Sequence, residues 1–221
     1  MKGVFITGTD TGVGKTYIAT QLARALTQQG IRVVPRKPVE SGCARQGDEL
    51  IPSDALALKN AAQYSGLLQQ VCPHPFEPAI SPARAAQLAN KTLHINDLKN
   101  ACLDGVTEND FLLIEGAGGF YSPLCSDGLN ADLAQALNLP IILVAEDRVG
   151  CINQCLLILE AARHRQLHIT AIVLNRIATT PIAHMDNAGD LKLHTDCRAF
   201  SLPVECDRFH KIMLCDYGLV S

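Results

Sequence analysis

The stretch Lys2-Gly3-Val4-Phe5-Ile6-Thr7-Gly8-Thr9-Asp10-Thr11-Gly12-Val13-Gly14-Lys15-Thr16 decides the architecture. Lys2–Thr7 is short, β-rich and followed by glycine, which reads as a buried strand. Beyond the loop, Thr16–Gln29 carries Ile18, Leu22, Ala25 and Leu26 at helical spacing, and Gly30 stops it. A glycine-rich loop between a strand and a helix is the context of a phosphate-binding loop. Gly12 and Gly14 let backbone N–H groups turn toward an anion, and the helix start adds its unsatisfied donors. The nucleotide-contacting set expected here is Thr11, Gly12, Val13, Gly14, Lys15 and Thr16. Lys15 can reach the β and γ phosphates of ATP, and the Thr16 hydroxyl can ligate Mg²⁺. One detail departs from the common spacing: the first glycine is Gly8, one residue early, with Thr9 in its usual place.

Outward from this loop the chain alternates. Strands are expected at Ile31–Val34, Asp110–Ile114, Pro140–Ala145, His168–Leu174 and, last and short, Ala199–Pro203. Helices are expected from Pro52 to about Tyr64, over Pro82–Asn90 with Ser81 as cap, and over Asn96–Leu103, Asn130–Leu137 and Cys151–Arg165. Pro35 and Pro38 are expected to bracket a turn, Gly116–Gly119 to form a tight loop, and residues 71–82 to be irregular. Residues 183–196 are polar and lack a clear apolar stripe. Repeated strand, crossover helix and strand predict an α/β fold: a mostly parallel open sheet with helices on both faces, resembling the P-loop NTPases. The continuous run Phe111-Leu112-Leu113-Ile114 suits a parallel strand covered on both sides. Strands end at Gly8, Lys37, Glu115, Glu146 and Asn175, so these residues gather along the edge where such sheets bind ligands.

Composition narrows the class. The 221 residues are 48% hydrophobic, enough to bury a full core, and one domain spanning 1–221 is expected. A net charge of −3 and no basic stripe make nucleic acid an unfavoured partner. No stretch approaches the ~20 apolar residues of a membrane helix. Met1–Ile6 runs straight into the loop without the pattern of a signal peptide, so a cytoplasmic protein is expected. The nine cysteines are odd in number and include no C-x-x-C pair. They read as reduced, mostly buried thiols, and Cys197, Cys206, His210 and Cys215 match no standard zinc spacing.

Three further residues stand out chemically. Glu115 ends an apolar strand, where an unpaired carboxylate is costly, so a metal or a lysine is expected to face it. Ser53-Asp54 reads equally as a capped helix start and as a source of a metal-binding carboxylate. Lys37, just past a strand and before Pro38, is by itself either a solvated loop lysine or a catalytic cation.

Five segments in order carry a resemblance to the dethiobiotin synthetase family. They are Gly8–Thr16, Lys37-Pro38-Val39-Glu40-Ser41-Gly42, Ser53-Asp54-Ala55-Leu56-Ala57-Leu58, Glu115-Gly116-Ala117-Gly118-Gly119 and Gly150-Cys151-Ile152-Asn153. The resemblance implies an ATP-dependent ligase. In its reaction 7,8-diaminononanoate takes up CO₂ as a carbamate, ATP phosphorylates the carbamate, and the second amine closes a cyclic urea. It implies Lys37 and Lys15 as catalytic, and Thr16, Asp54 and Glu115 as Mg²⁺ ligands. Ser41, Lys37 and Gly118 would meet the substrate, and Gly116, Ala117 and Gly118 the nucleotide. Asn175 and Arg176, with Pro203, Val204 and Glu205 further on, would hold base and ribose. The helix start at Gly150, Cys151, Ile152 and Asn153 would hold the substrate carboxylate, from the neighbouring subunit of a homodimer. Two other readings fit less well. Amidating ligases of the cobyrinic-acid type carry an extra glutaminase domain, and partition-type ATPases carry a lysine early in the loop, where this chain has Asp10-Thr11-Gly12.

Overall fold

Residues 2–177 and 182–202 are described by the computed structural model; Pro203, Val204, Glu205, Cys206, His210 and Cys215 lie outside them. In chain order the elements begin with β1 (Lys2–Gly8), α1 (Lys15–Gln28) and β2 (Val33–Arg36). A polar excursion follows, holding β3 (Val39–Ser41), β4 (Ala44–Gln46), β5 (Glu49–Ile51), α2 (Ser53–Ala61), α3 (Leu68–Val71), β6 (His74–Phe76), α4 (Pro82–Leu88) and α5 (Ile95–Leu103). Then come β7 (Phe111–Gly119), β8 (Pro123–Cys125), β9 (Gly128–Leu129), α6 (Asn130–Leu137), β10 (Ile141–Glu146), α7 (Cys151–His164), β11 (Ile169–Asn175), α8 (Asn187–Leu191) and β12 (Arg198–Leu202).

Six strands form one sheet in the order β12-β11-β10-β1-β7-β2, and every neighbouring pair is parallel. The chain first moves from β1 past the place of β7 to β2, fills the gap with β7, and then crosses to the other side of β1. That reversal opens a crevice at the carboxyl ends of β1 and β7, where the phosphate loop begins. Side chains alternate across the sheet. Phe5, Leu112, Ile114, Ile141, Leu143 and Ile172 pack beneath α5, α6 and α7. Val4, Ile6, Phe111, Leu113, Ile142 and Val173 share the opposite core with Ile18, Leu22 and Leu26 of α1. Each such fully buried side chain contributes about 1.5–3 kcal/mol, which explains why the central strands are apolar on both faces. Gly3 is fixed by β7: a Cβ there would run into the Leu112 carbonyl.

Three expectations are corrected, and one segment left without an element gains one. Gly116–Gly119 is no separate loop but the end of β7, with Gly119 opposite Gly8 after a register shift. The buried amide of Asn130 makes this extension work. Its Oδ1 accepts from Ala117 N at 3.1 Å, and its Nδ2 donates to the carbonyls of Ala117 and Gly119. Pro35 lies inside β2, tolerated because β2 is an edge strand bonded only to β7. Residues 74–76, expected to be irregular, pair in parallel with β3. The polar segment 183–196 contains α8, capped by Asp186, whose Oδ1 accepts from Gly189 N at 3.0 Å. Among the described residues no helix is long and apolar enough to cross a membrane.

Candidate active site

Gly12 and Gly14 sit at φ 78° and 94°, a left-handed backbone that favours glycine. Asn175, at the end of β11, props the loop from behind: its Nδ2 donates to the Val13 carbonyl at 3.1 Å, and a Cβ on Gly14 would strike that amide. The loop opens into a cleft of about 520 Å³ lined by Thr11, Gly12, Gly14, Lys15, Thr16, Lys37, Ser41, Asp54, Glu115, Ala117 and Gly118. Five separate places in the fold therefore deliver the candidate residues: the loop and α1, the turn after β2, the end of β3, the first turn of α2, and the end of β7.

At the centre is a buried network. Glu115 Oε1 accepts from Thr16 Oγ1 at 2.8 Å and from Lys37 Nζ at 2.7 Å. Lys37 Nζ also pairs with Asp54 Oδ2 at 3.1 Å. Lys37 and Glu115 are 3% and 1% exposed, so the reading of Lys37 as a solvated loop lysine does not survive, and Lys37 is the lysine that faces Glu115. Burial works against the charge on Lys37, but Glu115 and Asp54 outweigh it and raise its pKa above the ordinary lysine value. Lys15 is the opposite case. Burial, and then the nearby Lys37 charge, lower its pKa to about 8. Its Nζ donates to the Asp10 carbonyl at 2.8 Å. A desolvated ammonium curled against a backbone carbonyl is suited to donate to phosphate oxygens instead.

Glu115 Oε2 is buried without a hydrogen-bond partner. An unpaired buried carboxylate oxygen is expensive, and its place beside Thr16 and Asp54 gives a hydroxyl and two carboxylates within one cleft. Such hard oxygen donors fit a magnesium ion, which takes one or two carboxylates and completes its shell with water and substrate phosphates. A cage of three or more His, Cys, Asp or Glu side chains is absent among the described residues, and Mg²⁺ requires none.

A family model described as an AAA domain matches residues 2–204. The chain is 42% identical over 177 residues to the ATP-dependent dethiobiotin synthetase BioD of Vesicomyosocius okutanii subsp. Calyptogena okutanii (strain HA), covering 80% of each chain. It is 40% identical over 196 residues to the ATP-dependent dethiobiotin synthetase BioD of Ruthia magnifica subsp. Calyptogena magnifica, covering 89% of this chain and 88% of the relative. The chain belongs to the dethiobiotin synthetase family. It is an ATP-dependent ligase of biotin biosynthesis built on a P-loop NTPase fold. The fold is shared with the ParA family ATPase of Chlorobium tepidum TLS at a TM-score of 0.54, with 17% identity, covering 90% of this chain and 82% of that one. At that identity the likeness concerns architecture alone.

Within this synthetase not every predicted residue reaches the cleft. Gly116 lies behind it, supplying its carbonyl at 3.4 Å from Lys37 Nζ. The N–H groups of Ala117 and Gly119 are engaged by Asn130 and Ser122, so they are not open to phosphate. Gly150, Cys151, Ile152 and Asn153 begin α7 but do not line the cleft. The Cys151 side chain is buried in the core, and its N–H donates to the Arg148 carbonyl at 3.1 Å. Arg176 is drawn to Asp147 Oδ2 at 3.2 Å rather than left in solvent.

Sequence reasoning missed Glu40, Asp147, Ser122 and the cleft wall from Ala79 to Pro82. Glu40 stood inside a quoted motif. The signal available was that a carboxylate next to the apolar Val39 at the start of a short strand must find partners if it is buried.

Proposed function

We propose that this synthetase closes 7,8-diaminononanoate and CO₂ into dethiobiotin, with ADP and phosphate as co-products, through a carbamate and a carbamic-phosphoric anhydride. One amine adds to CO₂ and loses a proton. A carbamate oxygen then attacks the γ phosphorus of ATP as ADP leaves. The second amine attacks the carbamoyl carbon, the C–O bond to phosphate breaks, and the urea ring closes. The observation that carries this reading is Lys37 Nζ, buried 2.7 Å from Glu115 and 3.1 Å from Asp54 at the mouth of the phosphate loop. A fixed ammonium there offsets the charge that develops on the carbamate and the transferring phosphoryl group. Lys15 leaves the Asp10 carbonyl for the β and γ phosphates, and Gly12, Val13 and Gly14 supply backbone donors around them. Ser41 and Gly118 meet the diamine. Thr16, Asp54 and Glu115 hold Mg²⁺, which when bound neutralises phosphate charge. Asn175 and Arg176, with Pro203, Val204 and Glu205, would hold base and ribose.

The enzyme acts in the cytoplasm as a homodimer, without nucleic acid or membrane partners. The start of α7 stands apart from its own cleft and supplies N–H donors to the carboxylate of a substrate held by the facing subunit. Mass spectrometry after incubation with the diamine, bicarbonate, Mg²⁺ and ATP tests the reaction, the expected product being dethiobiotin. ADP release at equal rates with and without diamine overturns it. Mixing Lys37→Ala subunits with Asn153→Ala subunits tests the shared site. Exchanged heterodimers regain up to one intact site if the helix start comes from the partner, and none if both elements belong to one chain.

A further inference from the structure

Helix α2 carries Asp54 into the cleft, yet its own cap residue does not hold it. Pro52 occupies the cap position and makes no side-chain hydrogen bond. The cap comes instead from Glu40 on β3. Its Oε1 accepts from Asp54 N at 3.0 Å and from Ser53 Oγ at 3.3 Å, and its Oε2 accepts from Ala55 N at 3.0 Å. Glu40 is 4% exposed. Both its oxygens are engaged by one helix end, whose positive pole favours a carboxylate.

We propose that Glu40 is a positioning residue, which fixes the first turn of α2 so that the Asp54 carboxylate stays beside Lys37 and Thr16, ready for a divalent cation. The alternative is that Glu40 merely fills a polar hole in the core. Two features separate them. Asp54 donates its own N–H to Glu40 while its side chain pairs with Lys37, so backbone and carboxylate are pinned at once. Ser53, which by sequence competes for the cap, donates its hydroxyl to Glu40. The helix end is therefore closed to any anionic ligand, and its one function toward the cleft is to aim Asp54. Loosening the turn lets the Asp54 side chain, 40% exposed, swing to solvent.

This inference rests on the proposed assignment of Asp54 as a cation ligand, and its test separates the two. Mn²⁺ binding in the presence of ADP, followed by electron paramagnetic resonance, is measured for wild type, Glu40→Gln, Asp54→Asn and the double variant, with melting temperatures alongside. Glutamine keeps the shape but turns an N–H₂ toward one of the backbone donors. Loss of such an outer-shell partner lowers affinity about 10- to 100-fold. In the Asp54→Asn background the same change has almost no further effect, since the partner it aims is gone. If Glu40→Gln lowers the melting temperature but leaves Mn²⁺ affinity unchanged, or if the two effects multiply in full, the positioning role is overturned. If Asp54→Asn itself binds Mn²⁺ like wild type, the ligand assignment of Asp54 falls and the inference with it. Should Glu40→Gln fail to fold, Ser53→Ala removes one partner of Glu40 and is expected to weaken Mn²⁺ in the same direction; no change there overturns the proposal.

Discussion

Two polar clusters sit on the same carboxyl edge of the same sheet, and they are built to opposite ends. Beyond β1, β2 and β7, Glu115, Lys37, Asp54 and Thr16 form a network that leaves Glu115 Oε2 buried and unpaired. Beyond β10, β11 and β12, Asp147 is 5% exposed and satisfied on both oxygens: Asn187 Nδ2 donates to Oδ1 at 2.8 Å, while Ser201 Oγ and Arg176 donate to Oδ2 at 3.1 and 3.2 Å. Asn187 also reaches the Arg148 carbonyl at 3.3 Å. The second cluster ties four segments together around a carboxylate whose two oxygens are both met, and its one shortfall is the buried Nε of Arg176. The first carries a deficit that protein atoms do not fill. A carboxylate with both oxygens met is a lock, and one left short is a receptor.

Breaking the incomplete network has the largest expected effect. Lys37→Ala removes the cation hydrogen-bonded to Glu115 and lowers kcat/KM by about 10³-fold or more. The fold also suffers, by about 3–5 kcal/mol, because a buried carboxylate is left without its charged partner. Steady-state product formation and urea unfolding measure the two. A variant with near-wild-type kcat/KM would remove Lys37 from the chemistry.

Lys15→Ala separates ligand binding from folding more cleanly. Activity is expected to fall by about 10²–10³-fold, as for other oriented charges. Stability is expected to hold or rise, since a desolvated ammonium is removed. A clear drop in melting temperature would show that Lys15 supports the empty loop.

The lowered pKa of Lys15 gives a pH signature. Its folded value of about 8 lies below the ordinary 10.5, so between these values the unfolded chain binds more protons and the Lys15 contribution to stability grows as pH rises. Nucleotide phosphates favour the charged form. ATP binding should therefore take up a proton above pH 8, and affinity should weaken about tenfold between pH 7 and 9. Calorimetry in buffers of different ionisation enthalpy reads the proton uptake directly. A flat profile in wild type would overturn the coupling, and a pH dependence that persists unchanged in Lys15→Ala would assign it elsewhere.

Asp147→Asn is the smallest expected effect on catalysis and the sharpest check on the contrast. Stability falls by about 1–3 kcal/mol as the lock loses acceptors, while kcat with the diamine changes little. A kcat loss comparable to that of Lys15→Ala would show that this cluster, too, belongs to the reaction.

The sequence by itself determined the phosphate loop, the order of the parallel strands' hydrophobic runs, and the residues at the strand ends. These are local properties: glycine conformation, helix periodicity and continuous apolarity are written in neighbouring residues. Lys15 and Thr16 were legible for that reason, and Lys37, Asp54 and Glu115 became so through motifs lying in order along the chain. Only the tertiary structure decided that Lys37 is sandwiched between two carboxylates and that Gly116–Gly119 extends β7 under the Asn130 amide. It likewise decided that Ser53 yields the cap of α2 to Glu40, that the start of α7 stands away from its own cleft, and that Asp147 is a lock. The contacts among these join residues far apart in sequence, such as Lys37 with Glu115, 78 apart, or Asn187 with Asp147, 40 apart. Which buried polar group finds which partner depends on the packing of the sheet and its helices, and no local preference of the chain encodes it.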